Sequence, residues 1–122
     1  MKITIDTGAL RALDDAARRA LEMTAEAIHT EVVQGQVIPF KQGHLQNDST
    51  YVDTADSGKG RVALVSNTPY ARRLYYHPEY NFSHVENPNA GAGWFDAWKN
   101  GGANQDFVQE TFAALFRREA GL

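Results

Sequence analysis

The pattern of hydrophobic and polar positions shows two neighbouring runs of strand-type residues in the middle of the chain. The runs are Leu45 to Thr54 and Arg61 to Ser66, and residues 55–60 between them are small, polar or glycine. Glycine adopts positive φ at little steric cost and small polar residues favour turns, so the pattern predicts a β-hairpin with a flexible tip. Both faces of the second run carry apolar residues. We therefore expect that strand centrally in a sheet or covered on both faces.

Two longer helices flank the hairpin. From Ala9 to about Val33, apolar residues recur every three or four positions with charged residues mostly between them, which predicts a long amphipathic helix. Gly35 is expected to end it in the left-handed conformation. A second apolar stripe predicts a C-terminal helix from Gln105 to about Glu119, with Gly121 as its stop. The first helix either only covers the sheet of its own domain or also contacts a neighbouring subunit.

Shorter elements complete the pattern. Ile3 and Ile5 alternate with polar residues and predict a short strand that can add to a sheet edge. Thr68 is expected to cap a short helix from Tyr70 to Tyr76. A helical turn is expected near Trp94 to Lys99, inside an otherwise irregular region.

These elements predict one domain of class α+β, spanning residues 1–122. It consists of a small, mainly antiparallel sheet, with the long N-terminal helix and the C-terminal helix packed on one face. No apolar run approaches the roughly 18 residues of a membrane span, and the N-terminus lacks the apolar core of a signal peptide. The pattern therefore predicts no membrane contact and a cytoplasmic location when the chain is made.

The amino-acid composition excludes or disfavours several kinds of functional site. The chain has no cysteine, which excludes disulfides, thiol catalysis and cysteine-ligated zinc within it. Its formal charge is −3 and it has no block of basic residues, so the electrostatic footprint of tight phosphate binding is missing. Nucleic acid is not expected as a direct ligand.

Four histidines are the first candidates for a site, because imidazole is a common metal ligand. His77, Glu79 and His84 could supply three ligands, but their spacing matches no motif that fixes a zinc geometry. Surface or capping histidines are the preferred interpretation. A small metal-dependent enzyme using these three residues stays an alternative, as does a nucleic-acid-binding adaptor.

A concentration of aromatic residues, interspersed with arginine, is more informative. Tyrosine, tryptophan and arginine are enriched at protein interfaces, where they bury large areas and keep a polar tip. A satellite core under the long loop is the competing interpretation, and base stacking on single-stranded nucleic acid a weaker one. The candidate interface residues are Phe40, Leu45, Tyr51, Tyr70, Arg72, Arg73, Tyr75, Tyr76, Trp94, Phe95 and Trp98.

Three segments in order carry a resemblance to a known family. They read PFKQGHLQNDSTYV from Pro39, SNTPYA from Ser66 followed by HPEYNF from His77, and NPNAGAGWFDAW from Asn87. Together they cover about half of the chain. These segments resemble the minor capsid and neck proteins of long-tailed bacteriophages, which are similar to head–tail joining and tail-completion proteins.

The resemblance implies a structural role in the virion and no catalysis, with no catalytic residue, metal or cofactor. It implies a subunit that forms a homo-oligomeric ring at the head–tail connector and contacts portal, adaptor, tail-terminator or tail-tube proteins. DNA would only pass through the ring. The expected location is the virion, after assembly from the cytoplasm of an infected or lysogenic bacterium. The hairpin tip is expected to become ordered only on assembly.

Overall fold

The computed structural model describes residues 1–6, 15–39, 49–68, 70–82, 84, 87–99 and 101–121. In chain order its elements are strand β1 (Lys2–Asp6), helix α1 (Asp15–Gln34), strand β2 (Thr50–Asp53), strand β3 (Arg61–Ser66), helix α2 (Ala71–Tyr76) and helix α3 (Gln105–Ala120). Single 3₁₀ turns occur at Ser57–Lys59 and Asp96–Trp98. The α+β class is confirmed.

The sheet of the described residues has β3 in the centre, with β1 and β2 antiparallel on either side. Ile3 and Val52 both pair with Leu64, so the three side chains form one row on the inner face. Leu64 is fully buried there. The hairpin, the N-terminal strand and the central place of β3 are thus confirmed, while residues 45–48 of the first predicted run lie outside the described residues.

Helix α1 packs on the inner face of the sheet, and α3 packs mainly on α1. Ile28 of α1 belongs to the main core cluster around Leu64. Leu21 belongs to a second cluster, against which Phe112 of α3 packs. The predicted pair of long helices is therefore confirmed, although residues 9–14 of the first lie outside the described residues. No residue of α3 is fully buried.

The two helix ends assigned to glycine differ. Gly121 follows α3 with φ 75°, and its N–H donates to carbonyls of the last turn, as predicted. Helix α1 ends at Gln34, immediately before Gly35 as predicted, but the left-handed conformation is wrong for Gly35, because the positive φ of 55° belongs to Gln36. Gly35 instead lies close to the preceding helical turn, where an added Cβ would meet the Glu31 carbonyl oxygen at 3.1 Å.

The predicted cap of α2 is also wrong. The N-cap residue is Tyr70, and no side chain caps the helix. Thr68 contributes its carbonyl oxygen, which accepts a hydrogen bond from the Ala71 N–H at 3.2 Å. Its hydroxyl is buried and has no hydrogen-bond partner among the described residues. The chain thus enters α2 through a backbone turn.

The hairpin tip does not fit the prediction that it becomes ordered only on assembly. The hydroxyl of Ser57 donates to Glu22 Oε1 of α1 at 2.6 Å, and Ser57 is only 6% exposed. Gly60 closes the tip with φ 85°, a conformation that glycine adopts readily. A contact within the same chain therefore holds the tip.

Candidate interaction surface

Helix α2 has one buried and one exposed face. Ala71 and Tyr75 are one helical turn apart and are both buried. Arg72, Arg73 and Tyr76 point away from them and are exposed. With Tyr70, which is exposed just before the helix, these three residues form what we call the α2 surface. It is a short helical surface rich in tyrosine and arginine.

The α2 surface carries unbalanced positive charge. Neither Arg72 nor Arg73 forms an ion pair with any residue that the structure describes. Burial, and then the positive charge of Arg72, lower the pKa of the amino group of Met1. Two guanidinium groups that have no carboxylate partner in the described part of the chain thus lie at this surface, although the net charge is −3.

Tyr75 fixes α2 to the rest of the fold. Its hydroxyl donates to Asp96 Oδ1 at 2.5 Å. Its ring packs edge-on against the Trp94 ring, with 4.7 Å between the ring centroids. Burial, and then the hydrogen bond to Asp96, raise the pKa of Tyr75 well above its ordinary value. Asp96 also forms an ion pair with Lys99, at 2.9 Å. Tyr75 is therefore a neutral anchor that prevents α2 from shifting.

Four of the predicted interface residues belong to the core. The residues Tyr75, Trp94, Phe95 and Trp98 are between 0% and 8% exposed. Placing them at an interface was wrong, and the competing interpretation of a core under the loop holds for them. The reason is that this loop folds back over the core cluster that contains Leu64 and completes it.

The remaining candidates divide into two groups. Tyr51, Tyr70 and Tyr76 are 41%, 45% and 57% exposed, and Tyr51 lies on the outer face of β2, away from the inner row. Arg72 and Arg73 are exposed with them. Phe40 and Leu45 lie outside the described residues.

A chain of hydroxyl groups explains why the polar edge of Trp94 can be buried. Trp94 Nε1 donates to Ser66 Oγ at 3.0 Å, and Ser66 Oγ lies 2.9 Å from Thr50 Oγ1. All three residues are at most 3% exposed. The bonds tie the loop to the last residue of β3 and the first of β2. Nothing in the sequence pattern singles out Ser66 for this role.

A cleft of about 390 Å³ lies beside the C-terminal end of α1. Its lining includes Glu31, Val37, Asn89, Trp94, Trp98 and Asn104. The carboxylate of Glu31 forms no ion pair or hydrogen bond with the described residues. Sequence reasoning did not find this cleft, because its residues come from three separate parts of the chain.

The histidines do not form a metal site in the described part of the chain. His77 Nδ1 lies 2.9 Å from Glu79 Oε1, and the His77 ring stacks on Tyr80 at 4.7 Å. His84 Nε2 instead donates to the Ala90 carbonyl at 3.0 Å. Among described residues, no group of three potential ligands comes together. The trio of His77, Glu79 and His84 is therefore not assembled.

His29 is the remaining described histidine, and His44 lies outside the described residues. The ring of His29 donates from Nε2 to the carbonyl of Thr50 at 3.2 Å. It thereby links α1 to β2, which is a structural role.

None of the helices in the described ranges combines the length and the apolar character needed to cross a membrane. A comparison of the chain with protein-family models, curated proteins and solved structures found no match in any of the three.

Proposed function

We propose that this chain is a structural subunit of a tailed bacteriophage or prophage particle, without enzymatic activity. In this role it joins head and tail as one subunit of a ring at the connector. The observation that carries the proposal is the α2 surface, because Tyr70 lies within the SNTPYA segment of the phage resemblance. Tyr70 is exposed, and Arg72 and Arg73, which follow that segment, are exposed and form no ion pair with a described residue, which favours a contact surface here.

The composition of this surface favours a protein partner. Tyrosine buries a large area at a small cost in side-chain entropy, and arginine donates several hydrogen bonds from a planar group. The two outer strands of the sheet offer a second means of contact, since an edge strand can pair with another chain. The proposed partners are copies of this chain, a portal or adaptor protein, and tail-terminator or tail-tube proteins.

DNA enters this proposal only by passing through the ring. Two exposed arginines on one short helix are far fewer than the six to ten phosphate contacts of a typical DNA-binding protein. The proposed location is the virion.

Quantitative peptide mass spectrometry on gradient-purified particles tests the proposal. The particles are induced from a bacterium that carries the gene, and the chain is quantified against the major capsid protein. We expect a fixed, low copy number per particle. Absence from intact particles, with abundant chain in the lysate, would overturn the virion role.

A variant pair tests the contact surface in the same particles. Replacing both Arg72 and Arg73 by alanine should lower the copy number, because the proposed contact loses its charged groups. Arg117→Ala is the matched control, since this arginine is exposed at the far end of α3. Equal incorporation of both variants would exclude the α2 surface from assembly.

A further inference from the structure

Two sets of unpaired charges of opposite sign are present in this chain. Arg72 and Arg73 lack a carboxylate partner among the described residues, and Glu31 lacks a cationic one. Neither arginine lines the cleft that contains Glu31. The arginines of one chain therefore do not neutralise the Glu31 cleft of that same chain.

The position of Glu31 in the fold makes binding of a cation beside its carboxylate more favourable. It lies in the last turn of α1, where the helix dipole places partial negative charge, and that turn has no basic residue. The negative carboxylate and the partial negative charge of the helix end therefore both attract a cation. The neighbouring Asn89 and Asn104 add amide groups to the lining.

The cleft also suits the rest of an arginine side chain. Trp94, Trp98 and Val37 provide apolar lining, against which the methylene groups of arginine can pack. A guanidinium group pairs well with a carboxylate and with aromatic rings, because it is planar and weakly hydrated. At about 390 Å³ and open to the surface, the cleft can admit a side chain from outside.

We infer that the α2 surface of one copy docks into the Glu31 cleft of a second copy. The contact joins two different patches, so in a pair one copy keeps a free cleft and the other keeps a free α2 surface. Such a head-to-tail contact closes into a ring when the rotation between copies permits it. The inference rests on the proposed ring function and names the surfaces that would build the ring.

Charge complementarity favours a second copy over other occupants of the α2 surface. A polyanion would satisfy the arginines but would leave Glu31 without a partner. Tyr70 and Tyr76 flank the arginines and add area that covers the rim of the cleft, as the polar rim of an interface requires.

Cross-linking between single-cysteine chains tests the contact directly, because the natural chain has no cysteine. Asn104 lines the cleft and Tyr76 belongs to the α2 surface, so cysteines at these two positions leave Glu31, Arg72 and Arg73 in place. Chains with Asn104→Cys are mixed with chains carrying Tyr76→Cys at millimolar concentration and treated with a short bis-maleimide. We expect a covalent dimer that joins positions 104 and 76, at least tenfold above the control. The control pair is Glu110→Cys with Arg117→Cys, both exposed on α3. A yield no higher than that of the control overturns the inference.

Charge reversal provides the second measurement. Either Glu31→Arg, or Arg72→Glu together with Arg73→Glu, should weaken self-association about thirtyfold or more, because like charges then meet. Mixing the two variants should restore association, since every contact between unlike copies again joins opposite charges. Circular dichroism checks that each variant folds. Variants that associate like the natural chain, or a mixture that does no better than its components, contradict the inference.

The outcomes separate this contact from the virion role. Copies present in purified particles, with no cross-link between positions 104 and 76, would overturn the contact alone. A cross-link in solution, with no copies in particles, would retain the contact and overturn the virion role. Arginines that bind a polynucleotide at low salt, without the cross-link, would also refute docking between copies.

Discussion

Replacing Ser66 by alanine should destabilise the fold by about 2–3 kcal/mol through its effect on Trp94. Ser66 Oγ accepts the hydrogen bond from Trp94 Nε1 and contacts the hydroxyl of Thr50. Ser66 is fully buried and Trp94 is 2% exposed, so water cannot replace the lost oxygen. The substitution thus leaves a buried N–H group without an acceptor.

The magnitude follows from two contributions. An orphaned buried donor costs about 1–3 kcal/mol, and a typical internal hydrogen bond contributes about 0.5–1.5 kcal/mol net. Alanine recovers part of this cost, because it is easier to remove from water than serine. For a chain of this length, the expected loss corresponds to a fall in Tm of roughly 10 °C.

A double-mutant cycle isolates the bond. In a Trp94→Phe background no indole N–H remains to be orphaned, so Ser66→Ala should cost only about 0.5–1 kcal/mol there. Urea unfolding followed by far-ultraviolet circular dichroism gives the free energy of unfolding of all four chains. Ser49→Ala is the control, since Ser49 is half-buried near the same sheet end and its hydroxyl has no hydrogen bond to a described residue.

Two results would refute this reasoning. One is a Ser66→Ala cost below about 0.5 kcal/mol, the range of ordinary surface substitutions. The other is an equal cost in both backgrounds, which would mean that Ser66 acts independently of Trp94. A large cost for Ser49→Ala would show that the sheet end, and not the bond, is sensitive.

Two further substitutions test other contacts. In thermal melts, Gly102→Ala should destabilise the fold by more than about 2 kcal/mol, because the added Cβ would lie 2.2 Å from a backbone carbonyl oxygen. Gly101→Ala is the control: its Cβ would meet no atom within 4 Å, and it should lose only about 1 kcal/mol to the positive φ of 85°. Hydrogen bonds from Arg19 and then Arg118 lower the pKa of Glu119 below its ordinary value of 4.5. The ionised Glu119 carboxylate therefore stabilises the folded state above pH 4.5, and this stabilisation is lost as the pH falls through the lowered pKa. Glu119→Gln should flatten this part of the pH–stability profile, and an unchanged profile would refute the assignment.

The α2 surface shows which features the sequence pattern could predict and which it could not. The concentration of aromatic residues with arginine left two competing interpretations open, a core under the loop and a contact surface. Assigning each residue to one of them required the direction of each side chain. Tyr75 and Tyr76 are neighbours in sequence, yet one is 4% and the other 57% exposed. Identical chemistry at adjacent positions gives no sign of this difference.

The amino-acid sequence by itself determined the elements of this protein. Alternation predicted the N-terminal strand and a period of three to four residues predicted both long helices, because side-chain direction follows backbone geometry locally. Strand-type residues on either side of turn residues predicted the hairpin. Apolar residues on both faces of β3 predicted either a central strand or one covered on both faces, and the structure has it in the centre of the sheet. The α+β class follows from these local patterns.

Only the tertiary structure decided which residues from distant segments meet. The bond between Ser66 and Trp94 joins residues 28 positions apart, and the Glu31 cleft combines three separate segments. Such contacts depend on how whole elements pack, and no short-range pattern encodes that arrangement. The same packing buried Trp94 and left Arg72 and Arg73 without an ion-pair partner among the described residues, and so defined the surface on which the proposed assembly depends.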